Sequence, residues 1–291
     1  MRYEGPIYRP PSEADSLLIQ ATVGCPHNKC TFCMVYKKGP RFRVRPTQDI
    51  LEDLDRAEAE YGPHFRALFL PAGNTIAMPT GELATVCSHA RAVFPRLERI
   101  TVYGSSKYIH RKGIKDLEAL RQSGLSRIHV GLESGDDEVL YRIKKGTDSV
   151  QQIEAGRMVR EAGIELSEYV ILGIGGKERS REHAVETARV LNDINPEFIR
   201  LRTFLPKINT LLLHHIRKGR FRVLSPHEVF RETIGILQNL TVTSEIHSDH
   251  YTNYVNLRGS MPADRQNLLA VLHAALGQEE TRFRPVYVGR Q

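Results

Sequence analysis

Long apolar runs are absent from this 291-residue chain: no stretch is apolar for long enough to span a bilayer, so no membrane partner is expected. The opening residues, MRYEGPIYRPPSEADS, also lack the basic-then-apolar pattern of a secretion signal, and a cytoplasmic protein is expected. Internal repeats at solenoid spacing and low-complexity segments are missing as well. Acidic residues are outnumbered, 34 Asp and Glu against 41 Lys and Arg, and the formal charge of +7 favours an anionic partner such as nucleic acid, phosphate or carboxylate. The densest basic run, KKGPRFRVR (37–45), reads either as a phosphate-contact patch or as a solvated face. Cysteine is scarce too. Only four are present, yet three fall within nine residues, CPHNKCTFC (25–33), which in a cytosolic chain argues for metal or redox chemistry and against a disulfide framework.

What is present is a globular composition, 41% hydrophobic and 26% charged, with a repeated alternation of short apolar runs and longer helical patterns. Strands are expected over 16–23, 67–71, 99–103, 127–130, 169–172 and 198–205, and helices over 47–61, 81–94, 114–123, 148–162 and 181–191. Six strands, each followed by a loop and a helix, predict an α/β fold: a parallel sheet with right-handed crossovers curved into a partial (β/α)6 TIM-like barrel. The expected layout is a short N-terminal arm (1–15), the barrel core (16–224) and a small α-rich C-terminal extension (225–291) that is a lid candidate, with helices from about 225 and over 263–276. In such folds the site lies at the C-terminal ends of the strands. The unusual loops fall there: the cysteine loop, PAGN (71–74), GSS (104–106), GLESG (131–135) and GIGGKE (173–178).

The spacing C-x4-C-x2-C lets Cys25, Cys30 and Cys33 converge on one metal centre from a tight turn, to which Pro26 and Asn28 are suited. A structural zinc would need a fourth ligand. His27 is the nearest candidate but would strain the loop, and Cys87 lies mid-helix among Ala84, Val86 and Ala90, where a lone cysteine acts as a small buried hydrophobe. A [4Fe-4S] cluster with one iron left open for a substrate or cofactor uses the missing ligand.

The cysteine loop resembles that of the radical S-adenosylmethionine (radical SAM) superfamily, whose commonest spacing, C-x3-C-x2-C, is one residue shorter in the first gap. Phe32 before Cys33 matches a position whose backbone contacts adenine in that family. The likeness runs over about 16–205, and GLESG is similar to the branch that includes coproporphyrinogen oxidase-like, Elongator-like and cobalamin-dependent members. The resemblance implies a [4Fe-4S] cluster on Cys25, Cys30 and Cys33, with S-adenosylmethionine (SAM) bound by Phe32, Gly73, Asn74, Ser105, Glu133, Ser134, Ile171, Gly173, Arg200 and Arg202. PAGN, however, lacks the family's acidic residue. It further implies reduction by a flavodoxin- or ferredoxin-type donor, cleavage of SAM and a 5'-deoxyadenosyl radical that abstracts hydrogen from an unidentified substrate.

Plainer readings stand beside these. Glu133 also reads as a cap of the helix that begins near 136, Gly173–Gly176 as an ordinary turn, and Arg200 and Arg202 as salt-bridged structure. The tail segment HSDHYTNYVNLRG gives His250 and Tyr254 as catalytic candidates and His250, Asn253 and Tyr254 as substrate contacts, or else a polar surface loop. The substrate is a small molecule or RNA, preferably anionic; a tRNA-modifying enzyme of the same superfamily and a zinc-knuckle nucleic-acid-binding protein are the alternatives. The missing cobalamin domain, the lack of ligands for a second cluster and the absence of RNA-binding and extra cysteine-bearing domains disfavour cobalamin chemistry, auxiliary-cluster chemistry and methylthiotransfer.

Overall fold

The computed structural model describes residues 1–5 and 7–289 and contains two compact units. The first comprises Met1–Asn28, Val35–Val130 and Ala155–Leu166, the second Lys29–Met34, Gly131–Glu154 and the chain from Ser167 onward. In chain order the first elements are β1 (Leu17–Leu18), β2 (Thr22–Val23), β3 (Arg43–Val44), α1 (Thr47–Tyr61), β4 (Ala67–Leu70), α2 (Thr80–Val93), β5 (Arg99–Gly104), α3 (Ser106–Gln122) and β6 (Arg127–Glu133). They are followed by α4 (Asp137–Arg142), α5 (Ser149–Glu161), β7 (Glu165–Leu172), α6 (Ser180–Ile194), β8 (Phe198–Thr203), α7 (Leu211–Arg217), α8 (Pro226–Asn239), β9 (Glu245–His247), β10 (Arg258–Ser260) and α9 (Arg265–Leu276). The main sheet has eight strands in the order β1, β4, β5, β6, β7, β8, β9, β10 and is mostly parallel, the α/β class expected from the alternation.

In the first unit, β1, β4, β5 and β6 pair in parallel, with Leu17 opposite Leu68, Leu68 opposite Ile100 and Val102 opposite Ile128. All of these are buried, as are Phe69 and Leu70 between them. Continuous apolar runs are what a parallel strand covered on both faces requires. Helix α1 buries Ile50, Leu54 and Ala57, one stripe at helical spacing.

The expected strand over 16–23 is two shorter ones. The Ile19 amide still donates to the Phe69 carbonyl at 3.2 Å. Beyond it the chain leaves the sheet, because the Gln20 carbonyl accepts from the buried Arg45 guanidinium and the Ala21 carbonyl from the Arg45 amide at 3.0 Å. Thr22 and Val23 then pair antiparallel with β3, so the cysteine loop leaves a separate ribbon. Helix α3 starts at Ser106 rather than 114, and Gly113 (φ 74°) breaks it internally where a start was expected.

In the second unit β7 and β8 run parallel from Ser167 opposite Phe198 to Leu172 opposite Thr203. Beside the two expected helices, the tail contributes strands that sequence reading missed: β9 continues the parallel order beside β8, and β10 returns antiparallel to β9. Helix α8 begins with a capping box between Ser225 and Glu228. Helix α6 ends at Asn195 (φ 50°), whose side-chain oxygen accepts from the Thr243 amide at 2.9 Å and steers the chain into β9.

Candidate active site at the strand C-termini

In the first unit the site is shaped by close backbone approach. Gly24 (φ 73°) precedes Cys25, whose partly exposed sulfur accepts weakly from the Asn28 amide at 3.5 Å. Asn28, itself left-handed at φ 42°, donates its side-chain nitrogen to the Tyr36 carbonyl at 2.9 Å, and Lys37 donates to the Asn28 carbonyl at 2.6 Å. The loop turns on that asparagine. In PAGN, the Gly73 amide donates to the Gly24 carbonyl at 3.1 Å, and a Cβ on Gly73 would lie 2.7 Å from the Cys25 Cβ, 2.7 Å from the Tyr36 ring and 2.8 Å from the Gly24 oxygen. Only glycine fits there. Asn74 is buried; its side-chain nitrogen donates to the Ser105 hydroxyl at 2.8 Å, while its Oδ1 is buried without a partner. An orphaned acceptor at a strand end suits a cationic ligand group such as the SAM ammonium.

In the second unit the site is shaped by buried charge. The Thr31 amide donates to the Ile143 carbonyl and the Leu212 amide donates to the Thr31 carbonyl, both at 2.9 Å, so the segment holding Cys30 and Cys33 is tied to the end of α4 and to α7. Phe32 packs on a buried apolar cluster that includes Ile171, Ile174, Phe204 and Leu212, which brings two of the expected adenine contacts together. Glu133 sits at φ 67°, rare for a side chain with a Cβ, and its carboxylate accepts from Lys145 at 2.9 Å. A Cβ on Gly131 would fall 2.2 Å from that carboxylate and 2.9 Å from the ammonium. Burial opposes the charge on Lys145, but Glu133, Cys30 and Glu168 outweigh it and hold its pKa above the usual lysine value. Burial pushes the fully enclosed Glu168 up to about 8, against the pull of Lys145.

Beneath these loops lies a second buried group. Ser134 shares a 2.8 Å hydrogen bond with His183 Nδ1 and accepts from the Asp136 amide at 3.1 Å. Asp136, not Glu133, caps α4, accepting from the Glu138 amide at 2.9 Å. Glu232 on α8 accepts from the Gly173 amide at 2.6 Å and from the Ser180 hydroxyl, and lies 3.6 Å from His183 Nε2. Burial pushes Glu232 up to about 7 and His183 down to about 4.

Arg200 is buried, donates to Ser167 at 3.2 Å and lies 3.8 Å from Asp249, whereas Arg202, two residues on, is exposed. The tail candidates have different surroundings. His250 bonds Thr252 at 2.7 Å and stacks on Tyr251; burial, then Arg202 and Lys207, push its pKa down to about 3. The Asn253 side chain is engaged with β8, donating to the Leu201 carbonyl at 2.8 Å and accepting from the Thr203 amide at 2.7 Å. Tyr254 packs against Phe230 and Phe283, with the Arg284 guanidinium 4.5 Å over its ring.

Lys145, Glu168, His183 and Glu232 escaped sequence reading. Only Glu168 carried a signal, a carboxylate in the middle of a strand whose second half is apolar. Among the described residues no three His, Cys, Asp or Glu side chains are gathered around a single point for one metal ion. The donor set nevertheless fits an iron–sulfur cluster: three partly exposed thiols, none in a disulfide, on one short loop, softer ligands than a carboxylate or imidazole set. Cys87 is buried, its thiol pushed up to about 12 by that burial, and is inert by comparison. Among the described residues no helix is long and apolar enough to cross a membrane.

Residues 19–191, more than half of the chain, match the model of the radical SAM superfamily. An uncharacterized protein of Methanocaldococcus jannaschii is 22% identical over 75% of this chain and 70% of its own length. A tRNA-2-methylthio-N(6)-dimethylallyladenosine synthase of Shewanella baltica is 26% identical over 64% of this chain but only 40% of its own. Coproporphyrinogen III oxidase of Escherichia coli, described as a radical SAM enzyme, shares the fold with a TM-score of 0.56 at 17% identity, over 77% of this chain and 52% of that one. The family match decides for the iron–sulfur reading over the zinc knuckle, with the coproporphyrinogen oxidase fold among the neighbours as GLESG implied. The chain belongs to the radical SAM superfamily, whose enzymes use a [4Fe-4S] cluster and SAM to generate a radical.

Proposed function

We propose that this protein initiates radical chemistry on an anionic substrate, with Cys25, Cys30 and Cys33 holding the cluster and the surrounding strand ends holding SAM. The observation that carries this reading is the largely enclosed Glu133–Lys145 pair, a carboxylate on strained backbone and an ammonium beside Cys30. When bound, the reduced cluster and SAM would supply a radical able to abstract a hydrogen atom from the substrate.

The chain's own residues bind, orient and exclude water. Gly73 leaves the room that any side chain would fill, and Asn74 Oδ1 offers its unused acceptor to the SAM ammonium. Ser105 fixes the orientation of Asn74 through its side-chain nitrogen. Glu133 accepts from polar groups of SAM while Lys145 holds its carboxylate through the 2.9 Å hydrogen bond. Phe32 and Ile171 offer an apolar seat for adenine, with Gly173 at its edge. Ser134 and Asn253, bonded to His183 and to β8, act as positioning residues. Arg200 holds the strand face from which the exposed Arg202 reaches a substrate carboxylate or phosphate, near His250 and with Tyr254 farther along the same segment. A flavodoxin- or ferredoxin-type donor in the cytoplasm supplies the electron.

Titration of SAM into the anaerobic holoprotein tests the assignment. Asn74→Ala and Glu133→Gln should each weaken SAM binding about tenfold with iron content unchanged, one lost charge-assisted hydrogen bond apiece. Unchanged affinity in both removes them from the site. RNA is the second reading for the substrate, supported by the excess of cations and by the tRNA substrate in the name of the Shewanella relative. Deoxyadenosine release that depends on added tRNA would select it; release indifferent to tRNA would select a small molecule.

A further inference from the structure

Between Glu197 and Glu228 the chain has no acidic residue, yet this stretch contains Arg200, Arg202, Lys207, Arg217, Lys218, Arg220 and Arg222, together with His214 and His215. Part of it forms a single exposed lip. Leu212 and Leu213 are buried on α7, and Ile216, Phe221 and Val223 pack against the apolar cluster that also seats Phe32. The turn between them is closed by bonds from the Lys218 amide to the His214 carbonyl (3.1 Å) and from the Arg220 amide to the His215 carbonyl (2.9 Å), with Gly219 at φ 69°. With apolar side chains anchoring both flanks, Arg217, Lys218 and Arg220 are left exposed to solvent, and among the described residues none of the three has an ion-pair partner. Arg222, by contrast, is held by Glu178 at 2.7 Å.

The lip is tied to the cysteine loop. The Leu212 amide donates to the carbonyl of Thr31, the residue after Cys30, and the exposed Lys29 precedes Cys30. A concentration of uncompensated positive charge fixed to the segment that ligates the cluster is placed for electron entry. We propose that Lys29, Arg217, Lys218 and Arg220 form the docking surface for an acidic one-electron donor protein carrying a flavin or iron–sulfur group. This rests on the cluster reading above. The donor is oxidised by one electron, the cluster is reduced by the same electron, and no bond or proton is exchanged. The surface favours a protein over single-stranded nucleic acid: residues 205–224 hold one Phe, Tyr or Trp, Phe221, and that ring packs against Phe204 instead of standing free to stack on bases. Electrostatically steered encounters of this kind change on-rate and salt dependence more than final affinity.

The test uses reconstituted holoprotein and photoreduced flavodoxin as probe, with cluster bleaching and direct association by biolayer interferometry as readouts. Arg217→Glu/Lys218→Glu/Arg220→Glu should slow bleaching by flavodoxin about tenfold or more at low ionic strength and weaken association, and added salt should erase the wild-type advantage. Dithionite, which needs no docking surface, should bleach both proteins equally. If the charge-reversed protein loses its cluster, the triple Gln variant replaces it, with the same direction and a smaller effect expected. Equal flavodoxin rates in wild type and variant overturn the proposal. So does loss of tRNA retention on a filter with the flavodoxin rate unchanged, which would reassign the lip to nucleic acid. Failure of dithionite to bleach the wild type would bring down the cluster reading itself, and the docking surface with it.

Discussion

The two units build their strand ends by opposite means. In the first, PAGN and the Cys25 turn depend on shape: Gly73 against the Cys25 Cβ, Gly24 and Asn28 in left-handed conformations, and one orphaned amide oxygen on Asn74. In the second, GLESG and GIGG rest on enclosed ionisable groups: Lys145 with Glu133 and Glu168, and His183 with Glu232. Shape is insensitive to pH, whereas buried charge is not. The two units should therefore respond differently when disturbed.

The largest effect is expected from Lys145→Met. It leaves Glu133 and Glu168 enclosed without their cation, which should cost about 3 kcal/mol of stability near pH 8 and weaken SAM binding. The loss should shrink towards pH 5, where Glu168, its pKa raised by burial, takes up its proton. Urea melts at the two pH values measure this, and a pH-independent loss would break the comparison.

Gly73→Ala should cost about 2 kcal/mol, since the added Cβ meets backbone and the Cys25 Cβ rather than the end of a flexible side chain. Iron retained after reconstitution should fall as well. Here the loss should be the same at pH 5 and pH 8, and full iron with wild-type stability would show that the close approach is relieved by small shifts.

Glu168→Gln sharpens the contrast with a smaller change. Because the folded-state pKa of Glu168 is raised to about 8, its unfolded carboxyl ionises first as pH rises. The contribution of Glu168 to wild-type stability should fall with increasing pH between about 4.5 and 8 and then level off. The variant should lack that fall, so its Tm should match wild type near pH 4.5 and exceed it near pH 8. His183 works in the other sense: lowered to about 4, it makes stability rise with pH between about 4 and 6.5. Identical pH profiles for variant and wild type would remove Glu168 from the buried charge group. Asn253→Ala, which frees the Leu201 carbonyl and Thr203 amide at the end of β8, should cost about 1 kcal/mol by thermal melting, the smallest effect of the series.

Helix and strand periodicity made much of the fold legible. Helix α1 falls on the expected 47–61, and β4 to β8 together with α2, α5 and α6 lie within a few residues of expectation. Three features were not legible. The 16–23 strand is interrupted because Arg45, far along the chain, captures the carbonyls of Gln20 and Ala21; β9 is three residues long; and α3 runs on both sides of Gly113. Local pattern carries no record of such long-range hydrogen bonds. The same holds at the site. Glycines and cysteines at strand ends announce themselves in sequence, while Glu232, one carboxylate on an amphipathic helix, acquires meaning only when folding brings it to the Gly173 amide.

Anaerobic reconstitution with iron and sulfide, followed by reduction in the presence of SAM and quantitation of 5'-deoxyadenosine, tests the central claim most directly. The account predicts about four irons per chain and nucleoside formed by the intact protein but not by Cys25→Ala/Cys30→Ala/Cys33→Ala. Stoichiometric zinc without nucleoside would contradict it.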